Sequence, residues 1–225
     1  MKTKKALRHI HILFLLLTSL LFLSCDRNEP TPPAEETRAV PQYEGTIIAV
    51  GDSLTAGLGV AEPEAWPALL EDKLRENGYN WQVLNAGISG ETSSGALSRI
   101  KWITAQKPDI VILGTGANDG LRGIPVPVIK DNINKAVQML REGNITVVLA
   151  GMRIVQNLGK EYASAFAGIY PRIAGEQECI LIPFLLRDVA GEPSLNQADT
   201  IHPNEEGHKI IAETVYPYIL QAVRN

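Results

Sequence analysis

T-I-I-A-V-G-D-S-L-T-A-G-L-G-V, residues Thr46 to Val60, is the stretch from which the architecture can be read. Its first five residues are small, β-branched or apolar without a break, the pattern of a strand covered on both faces in a parallel sheet. Gly51 can take the backbone angles of a sharp turn, and Asp52 or Ser53 can cap a helix that begins just after it. A hydroxyl is then left at the carboxyl end of the strand, the edge at which open α/β sheets do chemistry. A merely capping serine would look the same in isolation. The stretch has no G-x-x-x-x-G-K-[ST] phosphate loop, Gly51, Gly57 and Gly59 do not make G-x-G-x-x-G, and Ser53 lies in no G-x-S-x-G elbow. What the other strand ends carry has to decide its role.

Downstream, helical and strand patterns alternate. Leu69, Leu70 and Leu74 share a face of a helix expected over Glu64–Asn77 and stopped by Gly78, and Trp81–Leu84 reads as a strand. A helix over Ser93–Ala105 leads to the apolar run Ile110–Leu113. Ile129, Ile133, Val137 and Leu140 then mark a third helix, Val126–Glu142, before the strand Ile145–Ala150. A fourth helix over Tyr162–Ile173, interrupted at Pro171, precedes a strand at Cys179–Ile182, and the last helix starts near Asn204, with Pro217 kinking or ending it. Five short apolar strands alternating with helices specify a three-layer α/β/α sandwich, doubly wound and flavodoxin-like, on a mostly parallel five-stranded sheet.

The amino end is of another kind. Lys2, Lys4, Lys5 and Arg8 precede an apolar run from Ile12 to Leu23, broken only by Thr18 and Ser19, and Cys25 follows. Residues 1–24 read as a signal peptide, too short for a membrane span. Leu21-Phe22-Leu23-Ser24-Cys25 resembles a bacterial lipoprotein cleavage box, although Phe22 departs from the usual Leu. The resemblance implies a lipidated Cys25 and a protein anchored in the cell envelope. Residues 25–43, with Pro30, Pro32, Pro33, Pro41, Glu29, Glu35 and Glu36, hold too little apolar surface to fold and are expected to form an extended tether. At roughly 3 Å per residue it reaches on the order of 50 Å. Residues 44–225 are left as a single domain, read as a monomer.

Without the leader the chain keeps 17 basic against 25 acidic residues, a formal charge of −8, which excludes the basic face that nucleic acid requires. Cys179 is then the one thiol besides Cys25. Its apolar neighbourhood marks it as an inert core residue, and no internal disulfide is expected.

The strand ends offer Ser53 after the first strand, Gly87 in N-A-G-I-S-G after the second, Asn118 in G-T-G-A-N-D-G after the third, and Asp199-Thr200-Ile201-His202-Pro203 after the fifth. Only His202 and His208 remain once the leader is removed. His208 falls inside the last helix as a packing or surface residue, whereas His202 stands in a loop three residues after a carboxylate. A neutral serine is a poor nucleophile near pH 7. It needs an imidazole to take its proton, and the imidazole needs a carboxylate to fix its tautomer. Ser53, His202 and Asp199 can fill these roles, and the Ser53 N–H, the Gly87 N–H and the Asn118 amide are candidate donors to a tetrahedral oxyanion. Two histidines and one thiol do not make a zinc site, and no cofactor or metal is expected.

Gly51-Asp52-Ser53-Leu54, Gly87 in N-A-G-I-S-G-E-T, Gly116-Ala117-Asn118-Asp119 and Asp199-x-x-His202-Pro203 resemble, in order and spacing, the four blocks of the SGNH (GDSL) hydrolases. The resemblance spans residues 46 to 220 and is greatest to the bacterial arylesterase, acyl-CoA thioesterase I and lysophospholipase branch. It implies Ser53 as nucleophile, His202 as base, Asp199 as its partner, and Ser53, Gly87 and Asn118 as the oxyanion hole. The implied reaction is hydrolysis of carboxylic esters or thioesters, from small-molecule or lipid substrates, through an acyl-serine. Ala117 departs from the Gly or Asn usual at its position, and the segment from Gly151 to Gly159 resembles the branch only loosely. Met152, Ile154, Val155 and Leu158 there either line an acyl groove or pack on the fourth helix. A carbohydrate O-acetylesterase and a non-catalytic surface-binding lipoprotein are the alternatives. Against the first, Trp66, Trp81 and Trp102 all fall in expected core elements.

Overall fold

The computed structural model describes residues 42–224. The leader over residues 1–24, Cys25 and the tether as far as residue 41 lie outside the described residues.

Five parallel strands form one sheet in the order β2-β1-β3-β4-β5: β1 is Gly45–Gly51, β2 Trp81–Gly87, β3 Ile110–Gly114, β4 Thr146–Ala150 and β5 Ile180–Ile182. The helices are α1 Ser53–Ala56, α2 Trp66–Glu76, α3 Ser93–Ala105, α4 Ala117–Leu121, α5 Val126–Glu142, α6 Lys160–Ala167, α7 Ile169–Glu176 and α8 Glu205–Val223. Because β2 lies on one side of β1 and β3 to β5 on the other, right-handed crossovers send α2 to one face and α3, α5 and α7 to the other. The packing follows: α2 lies against α8, while α3 packs on α5 and α5 on α7.

Ile47, Ile48, Val50, Val111, Leu113, Val148 and Leu149 are buried from both sides. Leu70 and Leu74 of α2 contribute to the core, as do Ile100 and Ile103 of α3, Ile129, Ile133, Val137 and Leu140 of α5, and Ile211, Val215 and Ile219 of α8. Each such side chain stabilises the fold by about 2 kcal/mol relative to leaving it in water.

Several details differ from the sequence reading. β2 runs on to Gly87, paired with Gly51 at the end of β1. The third loop contains a short helix, α4. The break expected at Pro171 falls at Gly168 instead, and Pro171 sits in the first turn of α7, where its missing N–H has no helical acceptor to lose. Pro217 does not end α8, which continues to Val223. Trp102 is 60% exposed rather than in the core, because α3 turns that side to solvent. Cys179 is half-buried, and burial pushes its thiol up.

One donor on the open edge of β2 is taken up. The Glu71 carboxylate of α2 accepts from Val83 N–H at 2.7 Å and is itself paired with Arg75.

Trp66 ties the two ends of the domain together. Its indole donates to the Leu54 carbonyl of α1 at 3.1 Å, and its backbone N–H donates to His208 Nδ1 of α8 at 3.2 Å. That N–H opens α2, has no helical partner, and has no capping side chain from Ala65, so a buried imidazole lone pair satisfies it. Burial holds His208 neutral, lowering its pKa from 6.5 to about 4. The unfolded chain therefore binds a proton as pH falls below 6.5 while the folded chain does not until about 4, so this contribution is full above 6.5 and lost between those values. His208→Asn, which keeps an acceptor for Trp66, should lack that loss. The wild-type stability minus that of the variant should drop by on the order of 3 kcal/mol from pH 7 to pH 4 in urea titrations. Parallel pH curves for the two proteins would refute this account.

Candidate active site

The carboxyl ends of all five strands share one edge, and the strand order reverses at β1, which puts a crevice between the loops leaving β1 and β3. Ser53 opens α1 there. Asp52 is the cap, its Oδ1 accepting from Leu54 N–H at 3.0 Å, and Gly57 ends this one-turn helix in the left-handed region at φ 76°. Ser53 is thereby held at the strand end with its backbone N–H among the donors no helical carbonyl can reach.

His202 must come back from beyond β5, which two strands, β3 and β4, separate from β1. The segment between closes on itself through an antiparallel bridge of Asn196 with Pro203 and a bond from Gln197 N–H to the His202 carbonyl at 2.8 Å. The Gln197 amide then latches it to the loop after α1, donating to the Leu58 carbonyl at 2.6 Å and the Pro203 carbonyl at 2.9 Å. Gly59 lies under this latch at φ 89°, and a Cβ there would stand 2.2 Å from Gln197 Oε1.

His202 Nε2 lies 2.9 Å from Ser53 Oγ, and His202 Nδ1 lies 2.6 Å from Asp199 Oδ2. Asp199 Oδ1 accepts from the N–H groups of Ile201 and His202, at 2.9 and 3.0 Å. The His202 backbone bond, the imidazole bond and the Ile201 bond together lower the Asp199 pKa from 3.8 to about 2. At any pH near neutral Asp199 is an acceptor only, so Nδ1 must carry the hydrogen. In the neutral ring Nε2 is then the acceptor, and the Ser53 hydroxyl donates to it. Between the acid and the base, Thr200 is held at φ 62°, a strained conformation for a β-branched residue.

The expected oxyanion donors are arranged differently from the sequence reading. Gly87 is still part of β2, and its N–H, on the side away from β1, donates to Asn85 Oδ1 at 2.9 Å. Its lack of a side chain serves packing, since a Cβ would lie 2.2 Å from Ala56 N of α1. The glycine presented by this loop is Gly90, at φ 79° in the turn closed by Glu91 N–H to the Ile88 carbonyl. No described residue accepts from Gly90 N–H. Asn118 is near it, its Nδ2 donating to the Glu91 carbonyl at 3.0 Å and, at a longer 3.4 Å, towards Asp52 Oδ2. The Ala117 methyl is accommodated because the left-handed residue of this loop is Gly116, φ 104°, while Ala117 already belongs to α4.

Two acids hold these loops: Asp52, which the sequence reading offered as a cap, and Asp119, which it passed over. Asp119, 2% exposed, accepts from Ser93 N–H and Ser93 hydroxyl, both at 2.7 Å, and so joins α4 to the start of α3. Asp52 is pushed from 3.8 to about 6 by burial, partly countered by the Leu54 bond and the nearby His202. In the loop after β4, Met152 is buried in the core and Ile154 packs at its margin. Val155 and Leu158 are exposed, with Leu58, Ile88, Leu121 and Ile201 exposed on neighbouring loops of the same edge. Among the described residues no three His, Cys, Asp or Glu side chains are grouped to hold a metal ion.

Residues 49–210 match the model of the GDSL-like lipase/acylhydrolase family. The chain is 38% identical to an arylesterase of Vibrio mimicus, over 79% of this chain and 89% of that protein. It is 37% identical to thioesterase 1/protease 1/lysophospholipase L1 of Escherichia coli K12, over 75% and 80%. Among solved structures, the esterase EstA of Pseudoalteromonas, in a form inhibited by monoethylphosphonate, superposes with a TM-score of 0.77 at 34% identity, covering 81% of this chain and all of that one.

The Gln197 latch gives a test. Gln197→Leu removes two hydrogen bonds to carbonyls, and Gly59→Ala drives a methyl into the same amide. Each should lower stability by about 2 kcal/mol and p-nitrophenyl acetate turnover by about tenfold or more as His202 loses its place. Wild-type turnover in both variants would show that the latch does not position the loop.

Proposed function

This chain belongs to the GDSL-like lipase/acylhydrolase family, and on that premise we propose that it is a serine esterase and thioesterase acting through Ser53. The observation that carries the proposal is the Ser53–His202–Asp199 chain of contacts at 2.9 and 2.6 Å.

Ser53 Oγ attacks the carbonyl carbon of the ester while His202 Nε2 takes its proton. Asp199, ionised down to pH about 2, holds the resulting imidazolium. The carbonyl oxygen becomes an oxyanion, for which Ser53 N–H, Gly90 N–H and Asn118 Nδ2 are the donors. Collapse expels the alkoxide or thiolate, which receives the proton from His202. Water then repeats the sequence on the acyl-serine, releasing the acid.

Small-molecule esters with apolar acyl or aryl groups fit best, supported by the exposed Leu58, Ile88, Leu121, Val155 and Ile201 on the loops bordering Ser53. Acetylated sugars would call for aromatic platforms, yet the exposed Trp102 lies on α3, away from the strand ends. The leader and Cys25 support a lipid-anchored location in the cell envelope.

Ser53→Ala should reduce kcat on p-nitrophenyl esters by about 10,000-fold, and Asp199→Asn by about 1,000-fold or more. The wild-type protein alone should be labelled by a fluorophosphonate. Retained turnover in Ser53→Ala would exclude the serine mechanism, and an unlabelled wild-type protein would point to a binding role. Cys25→Ser should move the protein from the membrane to the soluble fraction on cell fractionation. An unchanged distribution would remove the anchor.

A further inference from the structure

The Ile88–Glu91 turn has no secondary structure of its own, yet it carries Gly90 N–H and ends on the Glu91 carbonyl that Asn118 Nδ2 contacts at 3.0 Å. One end is attached to the sheet, Ile88 N–H donating to the Gly51 carbonyl at 2.8 Å. The other end hangs on Glu91. The Glu91 carbonyl accepts from Asn118 Nδ2, and its carboxylate takes a two-pronged bond from Arg99 of α3, Nε to Oε1 and a terminal nitrogen to Oε2, both 2.7 Å. That same terminal nitrogen approaches the Gly51 carbonyl at 3.4 Å. The side chains of the pair are only 15% and 6% exposed.

A buried ion pair is a poor choice for stability alone, because desolvating both charges offsets most of their attraction and an apolar pair of similar volume stabilises as well or better. What a fork-to-fork contact adds is orientation, since two parallel bonds fix the plane of the carboxylate and with it the direction of the residue carrying it. We propose that the Glu91–Arg99 pair is a positioning device for the oxyanion hole. It fixes the turn so that Gly90 N–H and the Asn118 amide converge on one point beside Ser53. The pair touches no reacting atom and acts through the backbone of residues 90 and 91. This inference rests on the serine mechanism proposed above.

The test uses the full chain. Arg99→Lys keeps the charge and loses the fork, and Glu91→Gln keeps the shape and loses the charge. Both should lower kcat on p-nitrophenyl acetate by about 10- to 100-fold with KM within about twofold of wild type, the loss expected when a reacting group is misplaced by a fraction of an ångström. The Ki of butylboronic acid, whose adduct with Ser53 places a negative oxygen in the hole, should rise by the same factor as kcat falls. The double variant Glu91→Leu/Arg99→Met replaces the charges by apolar groups and should melt at or above the wild-type temperature while staying slow. Wild-type kcat in the single variants, or in a stable double variant, would overturn the positioning role. Activity surviving in Ser53→Ala would instead overturn the underlying serine mechanism.

Discussion

The contact between Ser53 Oγ and His202 Nε2 joins residues 149 positions apart in the chain, and the site depends on it. A single hydrogen bond contributes about 1 kcal/mol, far too little to hold the two ends of a domain together. The geometry is therefore imposed by the scaffold. β1 fixes where Ser53 emerges. Trp66, buried between the Leu54 carbonyl and the His208 imidazole, sets the distance between the segment after Ser53 and the helix after His202. The Gln197 amide closes the remaining freedom by fastening the histidine loop to the Leu58 carbonyl. Each of these ties is made by a residue adjacent to the chemistry that does not take part in it.

Much of this was legible in the sequence because the physics involved is local or periodic. Unbroken apolar strands such as Ile110–Leu113 can exist only where both faces are covered, and helices marked by Ile129, Ile133, Val137 and Leu140 have a single side to bury. The scarcity of histidine outside the leader left few partners for Ser53. What escaped is what sequence encodes weakly. Backbone N–H groups are anonymous: Gly87 and Gly90 stand three residues apart in N-A-G-I-S-G, and only the extension of β2 to pair with Gly51 shows that the first belongs to the sheet and the second to the turn. The buried roles of Asp119 and His208 were equally hidden, since each satisfies an N–H contributed by a distant segment of backbone. The leader was read from basic residues ahead of an apolar run, Cys25 from a resemblance to a cleavage box, and the tether from composition.

Two buried ionisable groups close to the site respond to acid in opposite senses. His208 is kept neutral and resists protonation, so acid costs the fold stability. Asp52, raised to about 6, is already inclined to take a proton in the folded state, so mild acid favours the fold through it. Between pH 6 and pH 4 the two partly cancel.

The Glu71 carboxylate on Val83 N–H has a bearing on how many such molecules can live side by side. A bare strand at the rim of a sheet is a template for its neighbours. By plugging the donor with a negative oxygen, the domain offers an approaching chain repulsion where its carbonyl would seek a hydrogen. Crowding need not lead to fibrils.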